Sequence, residues 1–190
     1  MRDHVGNNSM EDFMKRLFTI AAAVAVLFAA NSSYAFKADG FYIALGLSPS
    51  SSSIEVDPAA AVETEQTYTN LKLGWGMPSG LYLGVALGIS SGDLITGHTG
   101  VTFGYMASNG FQILGTYFLT PKFELDSSGT EFDEGSGIGV ELNQVFDITG
   151  SFGAGFGIVY ETFETTQADG VDQDVSWQYM YPQIVLAGSF

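Results

Sequence analysis

Between residues 81 and 90 the chain alternates without a break. Leu81, Leu83, Val85, Leu87 and Ile89 fall on one face of an extended strand, and Tyr82, Gly84, Ala86, Gly88 and Ser90 fall on the other. Successive side chains of a strand point to opposite sides of its sheet, so this segment has one continuous aliphatic face and one small or polar face. The same two-residue period recurs after residue 35. Residues 40–48 set Phe41, Ile43, Leu45 and Leu47 against Tyr42, Ala44, Gly46 and Ser48. Residues 67–76 set Leu71, Leu73 and Trp75 against Tyr68, Asn70, Lys72 and Gly74, and residues 99–106 set Val101, Phe103 and Tyr105 against Thr102 and Gly104. Residues 137–146 place Ile138, Val140 and Leu142 on one side and Gly139, Glu141 and Asn143 on the other, with Gln144 breaking the pattern. Residues 152–163 oppose Phe152, Ala154, Phe156, Ile158 and Tyr160 to Gly153, Gly155, Gly157 and Glu161. Residues 175–190 align Met180, Ile184, Leu186 and Phe190. The segment 111–119 is ambiguous, because Leu114 and Phe118 are out of phase with Ile113, Tyr117 and Leu119.

No stretch after residue 35 matches the roughly 20 apolar residues of a spanning helix. A sheet in lipid has to close on itself, since open edges leave backbone groups without partners. Eight alternating segments of about ten residues therefore predict an all-β fold: an eight-stranded antiparallel transmembrane β-barrel with up-and-down connections. The connections alternate in length. Met77-Pro78-Ser79-Gly80, Ala107-Ser108-Asn109-Gly110 and Asp147-Ile148-Thr149-Gly150 are short turns, whereas 49–66, 91–98, 120–136 and 164–174 are longer. Short periplasmic turns and long extracellular loops are the barrel pattern, which places both mature termini in the periplasm. Phe41, Trp75, Tyr105, Phe111, Phe146, Phe152 and Phe190 lie nearest the short turns and would form one interfacial aromatic girdle. Tyr160, Phe163 and Trp177 would belong to the other. The reverse arrangement, a soluble sandwich or lipocalin-like barrel, would need its aliphatic residues inside.

The first 35 residues read differently. Lys15 and Arg16 precede an apolar run from Leu17 to Ala30, and Ser33-Tyr34-Ala35 ends the stretch that follows. This is a signal peptide over 14–35, with cleavage expected after Ala35 and a barrel over 36–190. Residues 1–13 carry Asp3, Glu11 and Asp12 where a signal should be basic, which suggests a non-native extension and a start at Met14. The leader holds three acidic and three basic residues, so its removal leaves the net charge at −15. Nucleic-acid binding depends on Lys and Arg neutralising phosphates, and such a surface excludes it. The chain has no Cys, which excludes disulfides and thiolate metal sites.

On these residues the chain resembles the small outer-membrane barrel family that includes OmpX-like proteins and the transmembrane domain of OmpA. The resemblance covers 36–190. It rests on the signal peptide, on Gly40-Phe41-Tyr42-Ile43-Ala44-Leu45-Gly46 at the mature start, and on a last strand closing at Phe190. It implies that Phe190 with Leu186 and Ile184 forms the signal read by the barrel assembly machinery. Gly188 departs from that signal, where an aromatic is usual.

An eight-stranded barrel has an interior that side chains just fill. Gly lines several strands, and Tyr42, Tyr68, Tyr82, Tyr179 and Tyr181 supply bulk opposite, which favours a packed lumen over a pore. A narrow channel for hydrophobic or ionic solutes, as in OmpW-like proteins, is the alternative. Lys72, Glu141 and Glu161 face inward. Lys72 and Glu141 fall at similar heights and are expected to pair, with Asn70 and Asn143 nearby, as a structural lumen pair. The one His beyond the leader, His98, falls near the end of a long connection beside Asp93, Thr96 and Thr99. A solvated loop His is the expectation, and a lipid-modifying enzyme built around it the alternative.

Acidic residues gather in the long connections: Glu55, Asp57, Glu63 and Glu65; Glu124, Asp126, Glu131, Asp133 and Glu134; Glu164, Asp169, Asp172 and Asp174. Asp147 alone falls in a short turn. Carboxylates suit divalent cations, which bridge lipopolysaccharide phosphates, but 126–131 lacks a calcium-loop spacing and a solvated acidic surface explains the cluster. The expected function is non-catalytic, structural or surface-interacting, with no cofactor. The expected partners are outer-membrane lipid and lipopolysaccharide, the assembly machinery, and divalent cations at the acidic loops.

Overall fold

The computed structural model describes Phe36 and residues 39–55, 62–119, 121–126 and 128–190. The expected extension 1–13, the signal peptide 14–35 and Asp57 lie outside the described residues, as do the side chains of Glu55, Glu63, Glu65 and Glu134. Nine strands follow in chain order: β1 Gly40–Glu55, β2 Val62–Gly76, β3 Leu81–Gly92, β4 Leu94–Met106, β5 Phe111–Phe118, β6 Lys122–Leu125, β7 Thr130–Asp147, β8 Phe152–Ala168 and β9 Val171–Ser189. All pair antiparallel, each with its neighbour in sequence except β5 with β6, and β1 also with β9. Both β5 and β6 lie between β4 and β7, so together they make one lane of the wall. The sheet is a closed eight-stranded antiparallel barrel. Pro121 sits where the split lane is broken, and it has no N–H to give.

The alternation sets the two sides of the wall. On β3, Leu81, Leu83, Val85, Leu87 and Ile89 are exposed, while Tyr82, Ala86, Gly88 and Ser90 are buried. Those nine residues, at about 3.4 Å of rise and a tilt of about 40°, give an apolar belt roughly 20 Å tall. The ambiguous segment resolves by filling both sides. Ile113, Tyr117 and Leu119 face out, and Leu114 and Phe118 are buried in the lumen. Gln144 takes an outward position but is shielded, and its Nε2 donates to the Asn109 carbonyl at 2.8 Å.

Three short turns and both ends of the described barrel meet at one rim. Gly80, Gly110 and Gly150 take φ of +89°, +80° and +79°, which these reversals require and an L side chain resists. Phe41 and Phe190 exchange backbone hydrogen bonds of 2.9 Å there, which ties the first strand to the last.

The four long loops are a correction. Most of 49–66, 91–98, 120–136 and 164–174 is strand. β8 and β9 are joined by Asp169 and Gly170 alone, at φ of +50° and +73°, a two-residue turn with both residues left-handed. Above the belt the apolar face changes sides. On β9, Met180, Ile184 and Leu186 face out, but further up Val175, Trp177 and Tyr179 are buried inside while Ser176 and Gln178 are exposed. On β8, Glu164 and Thr166 are exposed where Tyr160 was apolar, and Phe163 and Thr165 point in. The wall thus continues upward as a water-facing barrel with its own aromatic core. The switch hides the strands from a search for outward aliphatics. It also corrects the second girdle: Tyr160 is outside, but Phe163 and Trp177 are lumen residues.

β1 and β9 pair from Tyr42–Ser189 to Leu47–Ile184 and again from Ser53–Gln178. Pro49 and Pro182 fall opposite each other between these stretches. Neither carries an N–H, and Ser48 Oγ donates to the Pro182 carbonyl instead.

Candidate functional site

The inward positions of the eight lanes fill the lumen in three tiers. Nearest the short turns, Phe36, Tyr42, Ala44, Tyr82, Met106, Leu114, Val145, Val185 and Ala187 form an apolar cluster. Tyr42 meets Tyr82 edge-on at 5.3 Å between ring centroids, and Phe36 lies 6.2 Å from Tyr42. Gly153 makes room for Phe36, whose Cδ2 is 2.8 Å from where a Cβ would stand.

The middle tier is polar. Lys72 on β2 reaches across the lumen to Glu141 on β7, Nζ to Oε1 2.6 Å, with both side chains buried. Glu141 Oε2 accepts from Gln183 Nε2 at 3.0 Å and from Asn143 Nδ2 at 3.4 Å. Gln183 Nε2 also donates to Asn143 Oδ1 at 2.8 Å. The Tyr42 hydroxyl donates to Gln112 Oε1 at 3.2 Å, and Thr102 and Thr116 share a 2.8 Å hydrogen bond. The Tyr181 hydroxyl donates to Glu161 Oε2 at 3.1 Å. Lys72, Glu141 and Asn143 thus stand together, while Asn70, expected beside them, makes no hydrogen bond through its amide.

The upper tier is aromatic: Tyr68, Phe118, Phe123, Phe132, Phe163, Trp177, Tyr179 and Tyr181 are packed together. Trp177 stacks on Phe123 at 4.7 Å and meets Phe132 edge-on at 5.0 Å. His98 belongs to this tier, which corrects its placement as a solvated loop residue. It lies on the inward face of β4, 3% exposed. Its ring is 4.4 Å from Phe118 and 5.1 Å from Phe163, and the Tyr68 hydroxyl lies 3.0 Å from Nδ1 and 2.5 Å from Nε2. The Gly88 backbone faces it, where a Cβ would collide with the imidazole. Thr99 points to the opposite side of the wall and Asp93 is exposed. Thr96 shares the inward face with His98, so of the expected grouping only Thr99 and Asp93 are separated from the imidazole. The sequence signal for a buried His98 was its phase with Thr102 and Gly104 on one strand.

On the outer face, Phe41, Trp75, Tyr105, Phe111, Phe152 and Phe190 are exposed near the short turns, while Phe146 is half-buried against Phe156 at 6.0 Å. Ile184, Leu186 and Phe190 share this outer face. Phe190 meets Phe152 edge-on at 5.6 Å. At Gly188, where the resemblance expects an aromatic, the Phe190 ring and Ile43 stand 3.0 and 3.2 Å from a Cβ position and cover the spot. Glu131, Glu164, Asp169, Asp172 and Asp174 are exposed at the end away from the short turns. Among the described residues no group of three or more His, Cys, Asp or Glu is placed to hold a metal ion.

No protein-family profile matches the sequence, and no curated protein does either. Solved structures do. The crystal structure of Neisserial surface protein A aligns over 81% of this chain and 99% of its own, with a TM-score of 0.52 at 12% identity. The chain has the fold of a small outer-membrane barrel. The outer-membrane protein AlkL in lipid bilayers aligns over 82% of this chain and 92% of its own, with a TM-score of 0.43 at 11% identity. OprG from Pseudomonas aeruginosa aligns over 82% and 99%, with a TM-score of 0.37 at 13% identity.

Proposed function

We propose that this chain is a non-catalytic protein of the bacterial outer membrane, sealed along its lumen, which presents an acidic wall at the cell surface in a structural or surface-binding role. One observation carries the reading: an apolar belt on the outside of a barrel whose inside is filled by side chains. In water such a belt would be an aggregation liability, and in lipid it is the required outer surface. Closure of the sheet supports the same reading, because it leaves no edge to satisfy. The rim with the short turns and Phe190 faces the periplasm, and Phe190, Leu186 and Ile184 serve the assembly machinery on the way in. The upper wall, with Glu131, Glu164, Asp172 and Asp174 exposed, stands among lipopolysaccharide headgroups, and divalent cations bridge its carboxylates to their phosphates.

Reconstituted into planar bilayers, the protein is expected to leave the membrane electrically silent. The aromatic upper tier and the cluster around Tyr42 and Tyr82 pack side chains across the lumen at two levels, which supports a closed path. Reproducible unitary conductance steps would overturn the sealed lumen and restore the channel reading.

A further inference from the structure

The polar tier does not balance. Among the described residues its buried charged side chains are one lysine, Lys72, and two glutamates, Glu141 and Glu161. Lys72 is committed to Glu141. Glu161 is fully enclosed: Oε2 accepts from Tyr181, and Oε1 has no hydrogen-bond partner. Two buried carboxylates that share one lysine leave a negative charge uncompensated, which is strongly disfavoured. His98 does not supply the charge by contact, since its imidazole meets the Tyr68 hydroxyl and the Phe118 and Phe163 rings.

Other buried polar atoms of the lumen also lack partners, among them the hydroxyl of Tyr179, the residue opposite Glu161 in the β8–β9 register. Asn70 has both amide atoms without partners, and so has Gln183 Oε1. Asn70 lies on the inward face of β2, between Lys72 below and Tyr68 above. Lys72 reaches Glu141, and the Tyr68 ring lies 5.0 Å from that of Tyr181, which holds Glu161. Asn70 therefore bridges the levels of the two carboxylates. Gln183 Oε1 faces Gly46, and a Cβ on Gly46 would be 3.7 Å from Asn70 Cβ, so the two amides share one gap. Natural proteins leave few buried polar atoms unmet, and such groups are answered by water or by an ion.

We propose that the middle tier of the lumen binds one monovalent metal cation, with Glu161 Oε1 as its charged ligand and the amide oxygens of Asn70 and Gln183 beside it. One missing positive charge selects a monovalent ion, and a divalent one would leave an excess. Uncharged amide and carbonyl oxygens replace the hydration shell of such ions in other lumens. Enclosed between two apolar tiers, the ion is a structural part of the sealed barrel rather than a conducted one.

The experiment is thermal unfolding of the membrane-purified protein, refolded and melted in NaCl, LiCl, KCl or choline chloride at equal ionic strength and fixed pH. The midpoint is expected to rise saturably with at least one metal cation and to stay flat in choline. Glu161→Gln should abolish that rise, Asn70→Ala should weaken the half-saturating concentration about tenfold, and Glu164→Gln on the outer wall should leave the response unchanged. Should Glu161→Gln not fold, the wild-type salt series and Asn70→Ala still decide. Equal midpoints in metal and choline salts would overturn the site, as would a response retained in Glu161→Gln. A midpoint that follows pH but not cation identity would also overturn it, by giving the balancing charge to a proton on Glu161 or His98.

Discussion

Replacing Lys72 with Met is expected to lower the unfolding free energy by about 3–5 kcal/mol, the usual cost of stripping one partner from a buried ion pair. The substitution keeps most of the stem volume but leaves Glu141 facing Glu161 with no other buried lysine among the described residues. Glu141→Gln should cost less. The amide can still accept from Gln183 and Asn143, and Lys72 retains Glu161 as an electrostatic partner. The double variant should recover part of the Lys72→Met loss, because the uncompensated charge at position 141 is gone. Denaturant unfolding in lipid vesicles, followed by tryptophan emission from Trp75 and Trp177, reads all three. If both single variants unfold at the wild-type midpoint, the pair carries no stability.

Val85→Arg should be nearly as damaging, for the opposite reason. Val85 is the middle of the five outward residues of β3, so an arginine there stands at the centre of the apolar belt. At the bilayer midplane such a charge costs about 2–4 kcal/mol, falling to about 0–1 kcal/mol near the interfaces. Leu81→Arg, at the lower edge of the same face, should therefore cost much less than Val85→Arg. Equal losses at 81 and 85 would mean that the belt is not read by a membrane of this thickness.

How much of this was legible in the sequence follows from one physical fact: alternation is visible only where its sign is constant. Within the belt, aliphatics outside and glycine, tyrosine or amide inside gave the strands, the short turns and the inward direction of Lys72 and Glu141. Above it the solvent changes from lipid to water and the apolar residues move to the lumen. There Val175, Trp177 and Tyr179 keep the period with the opposite sign, and the strands read as loops. Asp169-Gly170 was an available signal for a tight hairpin, since Asp-Gly favours the left-handed pair that this turn uses. Phe118 and Leu114 looked like errors of phase because the inward positions of the other strands read as glycine, tyrosine or polar residues, yet aliphatic and phenyl side chains also fill this interior. His98 was misplaced for the same reason as Trp177: the end of the strand was drawn at the end of the belt. The Lys72–Glu141 geometry followed from register alone, whereas the isolation of Glu161 Oε1 depends on side-chain packing that no pattern encodes.

The chain contains no cysteine, so single cysteines can be introduced along residues 81–89 and spin-labelled one at a time without a background. In lipid vesicles, collision rates with oxygen should rise at Leu81, Leu83, Val85, Leu87 and Ile89 and fall at Tyr82, Gly84, Ala86 and Gly88, a two-residue oscillation. Collisions with a water-soluble relaxant should stay low through the middle of the stretch on both faces. High water-soluble relaxant accessibility at Val85, or at Ala86 on the lumen side, would contradict respectively the lipid-facing belt and the sealed interior.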